Sequence, residues 1–314
     1  MRRFLALAHA SAMESLSEPL SCVLFFVAAL TVHLAPVFHY HQFGEPTRLP
    51  QECGLSALFV FGIVFASSAA FRTIGRELSS GTASVALVRP LSRSLFFSAK
   101  LAGVFFSLAL FFVSIVFATM LSSKTASIGA ELAMHDGVTR LWPIGIRYGI
   151  CFTILAIATA AFLNRFFRMR FCFWTCILVS VIQPLAYYLS MLEAHKLVHI
   201  HSHGVESVSL LPPFASMLSC CLAFISMTGA LSVRLKTSVV AGCVSFAVVL
   251  SFLSVPLNSK VPFLSSILRA ILPNTGMFWM PSSSDVLTLT LSGLAISVFW
   301  MTVGCILIRG KEIS

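Results

Sequence analysis

The chain reads as an all-α, polytopic helical membrane protein with about eight transmembrane helices, and three observations lead there. Of its 314 residues, 58% are apolar and 10% charged, with a mean hydropathy of +0.94; a water-facing surface needs more polar side chains than that. Eight windows approach the roughly 20 apolar residues that cross about 30 Å of hydrocarbon: 19–38, 53–71, 101–122, 143–163, 171–191, 214–233, 237–257 and 286–308. Apolar residues run through them continuously instead of alternating every second position, which argues against the strands of a membrane barrel.

Residues 1–18 carry Arg2 and Arg3, a short apolar core over Phe4–Ala8, then Glu14 and Glu18. The core is too short for a cleaved leader. The segment predicts an amphipathic helix, an elbow along the inner membrane surface with both arginines toward anionic headgroups. The first span and an outer loop, 39–52, precede the second span. A basic segment follows, 72–100, with Arg72, Arg76, Arg89, Arg93 and Lys100 against one acid, Glu77.

Within that segment Thr73–Ser80 predicts a short helix with Ile74 and Leu78 on one face, ended by Gly81. Pro90 breaks helix and biases Arg89 toward extended geometry. Ser92 can cap the next helix, whose Leu95, Phe96 and Phe97 lead into the third span. The expected product is a helix, turn, helix elbow on the cytoplasmic surface.

The remaining spans are joined by an outer loop at 123–142, inner turns at 164–170 and 234–236, and longer outer stretches at 192–213 and 258–285. In the last, Pro262 suits a first helical turn and Pro273 an end. Phe263, Leu264, Ile267, Leu268, Ile271 and Leu272 there oppose Ser265, Ser266 and Arg269, which predicts an interfacial helix in the outer headgroup layer. No connection has room for a soluble domain and no repeat is evident, so residues 1–314 read as a single transmembrane domain.

Charge placement orients it. With the N-terminus inside, fourteen basic residues face the cytoplasm: Arg2, Arg3, the five of 72–100, Arg165, Arg168, Arg170, Arg234, Lys236, Arg309 and Lys311. Arg48, Lys124, Arg140, Lys196, Lys260 and Arg269 fall outside, and Arg147 lies just within the outer end of the fourth span. That excess predicts cytoplasmic termini and an even number of crossings. The formal net charge of +10 is scattered between apolar runs, so no nucleic-acid partner is implied. Tyr40, Trp142, Tyr148, Tyr187, Tyr188 and Trp279 fall near the outer boundary and Trp174 near the inner one, as aromatic belts do. Trp300 sits mid-span and reads as helix packing.

The nine cysteines, all but Cys53 in or beside spans, imply neither a disulfide framework nor a zinc site. Ionisable groups inside the spans are almost absent; His33 and Arg147 lie close enough to the outer interface to snorkel. A charged-relay pump is therefore disfavoured, and a membrane-partitioning or amphipathic cargo fits the Phe, Leu, Ser and Thr of the walls.

The run IGRELSSGT over 74–82, LVRPLSR over 87–93, and then Lys100 resemble the signature of type-2 ABC transporter permeases: a Glu, a Gly-Thr, a Pro with a following Arg, and a Lys before the third span. Glu14 resembles the family's N-terminal acidic position. The LSVRL at 231–235, the LPN at 272–274 and the RGKEI at 309–313 resemble its longer members. The resemblance implies that the cytoplasmic elbow docks on a separate ATPase through Arg76, Glu77, Gly81, Thr82, Arg89, Pro90, Arg93 and Lys100. It also implies a second permease subunit, a homodimer in the simplest case, in a bacterial inner membrane. The chain has no phosphate-cradling G-x-x-x-x-G-K-[ST] loop, so it is expected not to be an enzyme, and ATP and Mg are expected on the partner.

A plainer reading stands beside this one. Arg72, Arg89 and Arg93 suffice as positive-inside residues, Gly81 as a helix terminator and Pro90 as a turn former. Glu77 is not explained by orientation, since acids contribute little to it; Arg76, Arg93 or a base on the partner could pair with it. A functional alternative is a membrane-bound metal-handling or assembly factor. Eight histidines fall on the outer side, and HKLVHIHSH at 195–203 would align His199, His201 and His203 if extended.

Overall fold

The computed structural model describes residues 1–41, 47–79, 92–136, 143–197, 210–260, 262–273, 275 and 285–310. All regular structure among them is helical. The helices are α1 (Arg2–Leu16), α2 (Pro19–Leu34), α3 (Arg48–Ala70), α4 (Arg93–Asp136), α5 (Pro143–Phe167), α6 (Phe171–Leu197), α7 (Leu211–Ser232), α8 (Thr237–Lys260), α9 (Pro262–Ile271) and α10 (Val286–Arg309). Seven are long and apolar enough to cross a membrane, with candidate spans Pro19–Phe38, Arg48–Arg76, Arg93–Gly129, Gly145–Phe167, Phe171–Glu193, Leu211–Ser232 and Val286–Arg309. The remaining predicted window, 237–257, falls in α8, whose apolar stretch Ser238–Leu253 is shorter.

Boundaries differ from expectation in two places. Residues Thr73–Ser80 were expected as a separate short helix, but no breaker interrupts the chain after Ala70. A π-helical stretch, Phe71–Arg76, and an α-helical turn, Glu77–Ser79, continue α3 directly. The outer loop expected at 123–142 is helical through Asp136, because Ala, Leu, Glu and Lys in 124–136 favour helix despite their polarity. The resulting α4 has 44 residues, roughly 66 Å of axial rise at about 1.5 Å per residue, twice the hydrocarbon thickness.

Other signals hold. The Leu95 N–H donates to Ser92 Oγ at 3.3 Å, so Ser92 caps α4 as its position predicts. The α9 helix occupies the stretch bounded by Pro262 and Pro273, with Phe263, Ile267 and Ile271 exposed at four-residue spacing. Trp300 does more than pack: its indole N–H donates to the Ile271 carbonyl at 2.9 Å, satisfying an end of α9.

Contacts divide the chain into two compact units. The first comprises residues 1–15, 62–108 and 212–314, and the second 16–61 and 109–211. In the first unit the core is aromatic: Phe65, Phe96, Phe97, Phe214 and Phe224 are buried, and Phe97 lies over Gly304 of α10, where a β-carbon would collide with its ring. In the second unit α2, α5 and α6 pack together. Phe25 meets Phe111 edge to face at 5.0 Å.

The second unit also holds a buried polar chain. His33, expected to snorkel, is only 2% exposed. Its Nε2 lies 3.0 Å from Gln183 Oε1, the Gln183 amide donates to Thr153 Oγ1 at 2.8 Å, and Thr153 donates to the Gly149 carbonyl at 2.7 Å. Gly149 makes room for the imidazole, since a β-carbon there would strike the ring. With partners and space supplied inside, the ring does not need the interface.

Candidate functional site

The candidate site lies in the first unit, where α1, the extension of α3 and the start of α4 meet. Small residues bring α1 close to α4. Ser11, Ala12 and Ser15 form its buried face, and they meet Gly103 and Ser107. Ser11 Oγ donates to the Lys100 carbonyl at 2.8 Å, and the Ser15 and Ser107 hydroxyls are 2.6 Å apart. At Gly103 a β-carbon would overlap Ala8, Ser11 and Ala12 of α1. Two small residues four apart on each helix let the backbones approach, as in membrane helix pairs.

That contact sets Glu14 beside Lys100. The Lys100 ammonium is 2.6 Å from Glu77 Oε1 and 3.4 Å from Glu14 Oε2, and it stands 6.0 Å from the Phe96 ring centroid. Lys100 is 4% exposed. A buried ammonium is costly unless carboxylates replace its water. Here two do, while each carboxylate keeps partial contact with the surface, Glu14 more than Glu77. The cluster ties three elements that are distant in sequence, and its 2.6 Å bond joins the residues that flank 78–99.

Two arginines hold the nearby end of α10. Arg234, in the turn between α7 and α8, donates through Nη2 to the Gly310 carbonyl at 2.8 Å and to the Leu307 carbonyl at 3.4 Å. Arg93 Nη1 donates to the Arg309 carbonyl at 3.3 Å. Cationic donors at a helix C-terminus satisfy its orphan carbonyls and complement its dipole.

Of the residues singled out by motif, the structure therefore brings Glu14, Glu77 and Lys100 into one ion cluster and sets Arg93 against α10. Arg76 is exposed at the last position of the π-helical stretch. Gly81, Thr82, Arg89 and Pro90 lie outside the described residues, as do His199, His201 and His203. Among the described residues no group of three His, Cys, Asp or Glu side chains is placed to hold a metal ion. Glu77 has a partner that sequence reasoning did not consider, Lys100, and Arg234 a capping role that charge counting hid. The signals for the α1 contact were present as Ser11 with Ser15 and Gly103 with Ser107, small residues four apart.

Comparison with known protein families, characterised proteins and solved structures finds no match to this chain.

Proposed function

We propose that the chain is the membrane-spanning subunit of an ATP-driven ABC exporter of the type-2 permease kind. The observation that carries this reading is the convergence of Glu14, Glu77 and Lys100. Each was singled out separately by its place in a motif, and the three form one ion cluster. A docking element must pass force from a partner to the helices, and a loop hinged on freely moving ends would dissipate it. The Glu77–Lys100 bond closes the base of residues 78–99, and Glu14 adds α1 to the same point. In this reading residues 80–91, with Gly81, Thr82, Arg89 and Pro90, meet a separate ATPase that carries ATP and Mg. Two permease copies flank the path in a bacterial inner membrane, eight helices cross it, and both termini are cytoplasmic. The α1 helix is the elbow at the inner surface and α9 lies in the outer headgroup layer, its Phe263 and Ile267 toward lipid.

Driving a transport equilibrium from 1:99 to 99:1 takes about 5.5 kcal/mol of differential interaction, so the coupling joint has to be stiff. The test is affinity purification of the full chain from its native membrane after mild crosslinking. A P-loop ATPase should co-elute, and its ATP hydrolysis should change on reconstitution with the chain. Recovery of the chain with no nucleotide-binding protein, crosslinked or not, would overturn the reading.

A further inference from the structure

In the second unit, the turn from α5 into α6 carries three exposed arginines, Arg165, Arg168 and Arg170. From Pro143 to Leu192 the two helices and this turn hold no Asp or Glu that could neutralise them. Among the described residues none of the three makes an ion pair or a side-chain hydrogen bond. Large apolar side chains stand between them: Phe166 and Phe167 are 68% and 62% exposed, and Met169 is exposed as well. The Phe162 and Phe166 rings lie 4.5 Å apart, centroid to centroid, so the exposed end of α5 is an aromatic ledge beside the guanidinium groups.

The turn is held in one shape by its own backbone. The Asn164 side-chain amide donates to the Met169 carbonyl at 2.7 Å, and the Arg168 N–H donates to the Asn164 carbonyl at 3.1 Å. Arg168 itself closes α5 in the left-handed region, with φ 54°. Glycine meets that conformation without penalty and is the usual residue there. A guanidinium at this position is therefore kept at the expense of the backbone, a pattern that recurs where side chains bind ligands. The turn joins two candidate spans, Gly145–Phe167 and Phe171–Glu193, which sets it at an edge of the bilayer. Trp174, edge to face with Phe173 at 5.9 Å on the first turn of α6, belongs to the same depth, where indoles gather.

We infer that this turn binds an anionic phospholipid, its phosphate on Arg165, Arg168 and Arg170 and its acyl portion beside Phe162, Phe166 and Phe167. Charge complementarity and the aromatic ledge together choose the occupant. Guanidinium groups match phosphate oxygens in planar, two-pronged fashion, and a zwitterionic lipid would bring a cation to the same place. A soluble anion would leave the exposed rings in water, whereas the bilayer edge supplies phosphate and hydrocarbon at one depth. Orientation alone asks only for positive charge; it requires neither an arginine in a left-handed position nor aromatic residues between the charges. The inference goes beyond the transport reading and rests only on the chain being embedded in a membrane.

The experiment uses the full chain in phosphatidylcholine nanodiscs, whose two leaflets are alike, so the orientation of the protein does not enter. Two photoreactive probes, phosphatidylglycerol and phosphatidylcholine, each carry a diazirine on an acyl chain, and crosslinks are mapped by mass spectrometry. Phosphatidylglycerol should label residues 162–174 about tenfold more than phosphatidylcholine does, while the exposed face of α10 takes both equally. Arg165→Gln, Arg168→Gln and Arg170→Gln should each lower that preference about fivefold, and high salt should weaken it. Arg168→Gly should lose the same preference yet unfold no earlier than wild type in detergent, since it relieves the backbone. In the native membrane, a photoreactive amino acid in place of Phe167 should crosslink to lipid. Equal labelling by the two probes, a preference that survives in the triple Arg→Gln variant, or full displacement by inorganic phosphate would each overturn the inference. Earlier unfolding of Arg168→Gly would assign that arginine to the turn itself, and crosslinks from position 167 to another polypeptide would assign the arginines to a protein partner; either result also overturns it.

Discussion

The Lys100 ammonium lies 2.6 Å from the Glu77 carboxylate, the shorter of its two ion pairs, in a chain with few charges to spare. Removing Lys100 takes away the cation that both carboxylates share, whereas removing either acid leaves the ammonium one partner. Lys100→Met should therefore be the most damaging single change, by about 3 kcal/mol as for other broken buried pairs. Glu77→Gln should cost less and Glu14→Gln least, since Glu14 is farther and more exposed. Adding Glu77→Gln to Lys100→Met should restore part of the loss. Thermal unfolding of the purified protein in detergent measures the order; additive losses in the double variant would show that the pair is not coupled.

The approach of α1 to α4 rests on the missing side chain of Gly103. Gly103→Ala should strain the contact and Gly103→Leu should lever α1 away, with a cost of roughly 1–3 kcal/mol as for other overpacked sites. Amide exchange in residues 4–16 should accelerate in the same order, while exchange in α5 and α6 stays unchanged. Equal protection of α1 in Gly103→Leu and wild type would contradict the close packing.

In the second unit, Gln183 bridges His33 and Thr153. Gln183→Leu takes the partner of the buried His33 Nε2 and one donor from Thr153, whose hydroxyl keeps its bond to the Gly149 carbonyl, and hydrogen bonds between membrane helices are worth about 0.6–2 kcal/mol each. The variant should unfold at lower temperature than wild type. Joining it with His33→Leu removes the largest orphan, so the double variant should be no worse than the single one. A double variant much less stable than either single would mean that the imidazole holds the unit together by packing on Gly149 instead.

These networks mark the limit of what one sequence discloses. Long helices are legible because crossing hydrocarbon demands an unbroken apolar run, and caps such as Ser92 are legible because they act within three residues. Pairings over long separations are not. Gln183 lies 150 positions from His33, and Glu14 lies 86 from Lys100. Nothing local in either stretch distinguishes a buried partner from a solvated one. Polarity alone does not end a helix: Lys124 and Glu131 are polar but good helix formers, so α4 passes through them. The motif residues Glu14, Glu77 and Lys100 were identified individually; that they meet required the fold.

Arg234 separates a topological role from a structural one. Its charge belongs to the basic set that is expected to orient the chain, and its guanidinium also holds the carbonyls of Leu307 and Gly310. Arg234→Lys keeps the charge, but its strongly hydrated ammonium on a flexible stem is not pre-organised at the place where Nη2 of the guanidinium meets both acceptors. Orientation, read by protease accessibility in membrane vesicles, should be unchanged in Arg234→Lys. Amide exchange over the last turn of α10, residues 306–309, should nevertheless rise several-fold, in line with a lost capping interaction of about 0.5–1 kcal/mol. Arg234→Ala should show the same fraying, and it should reorient the protein only if this one charge dominates the inside excess. Slow exchange retained in both variants would assign Arg234 to orientation alone.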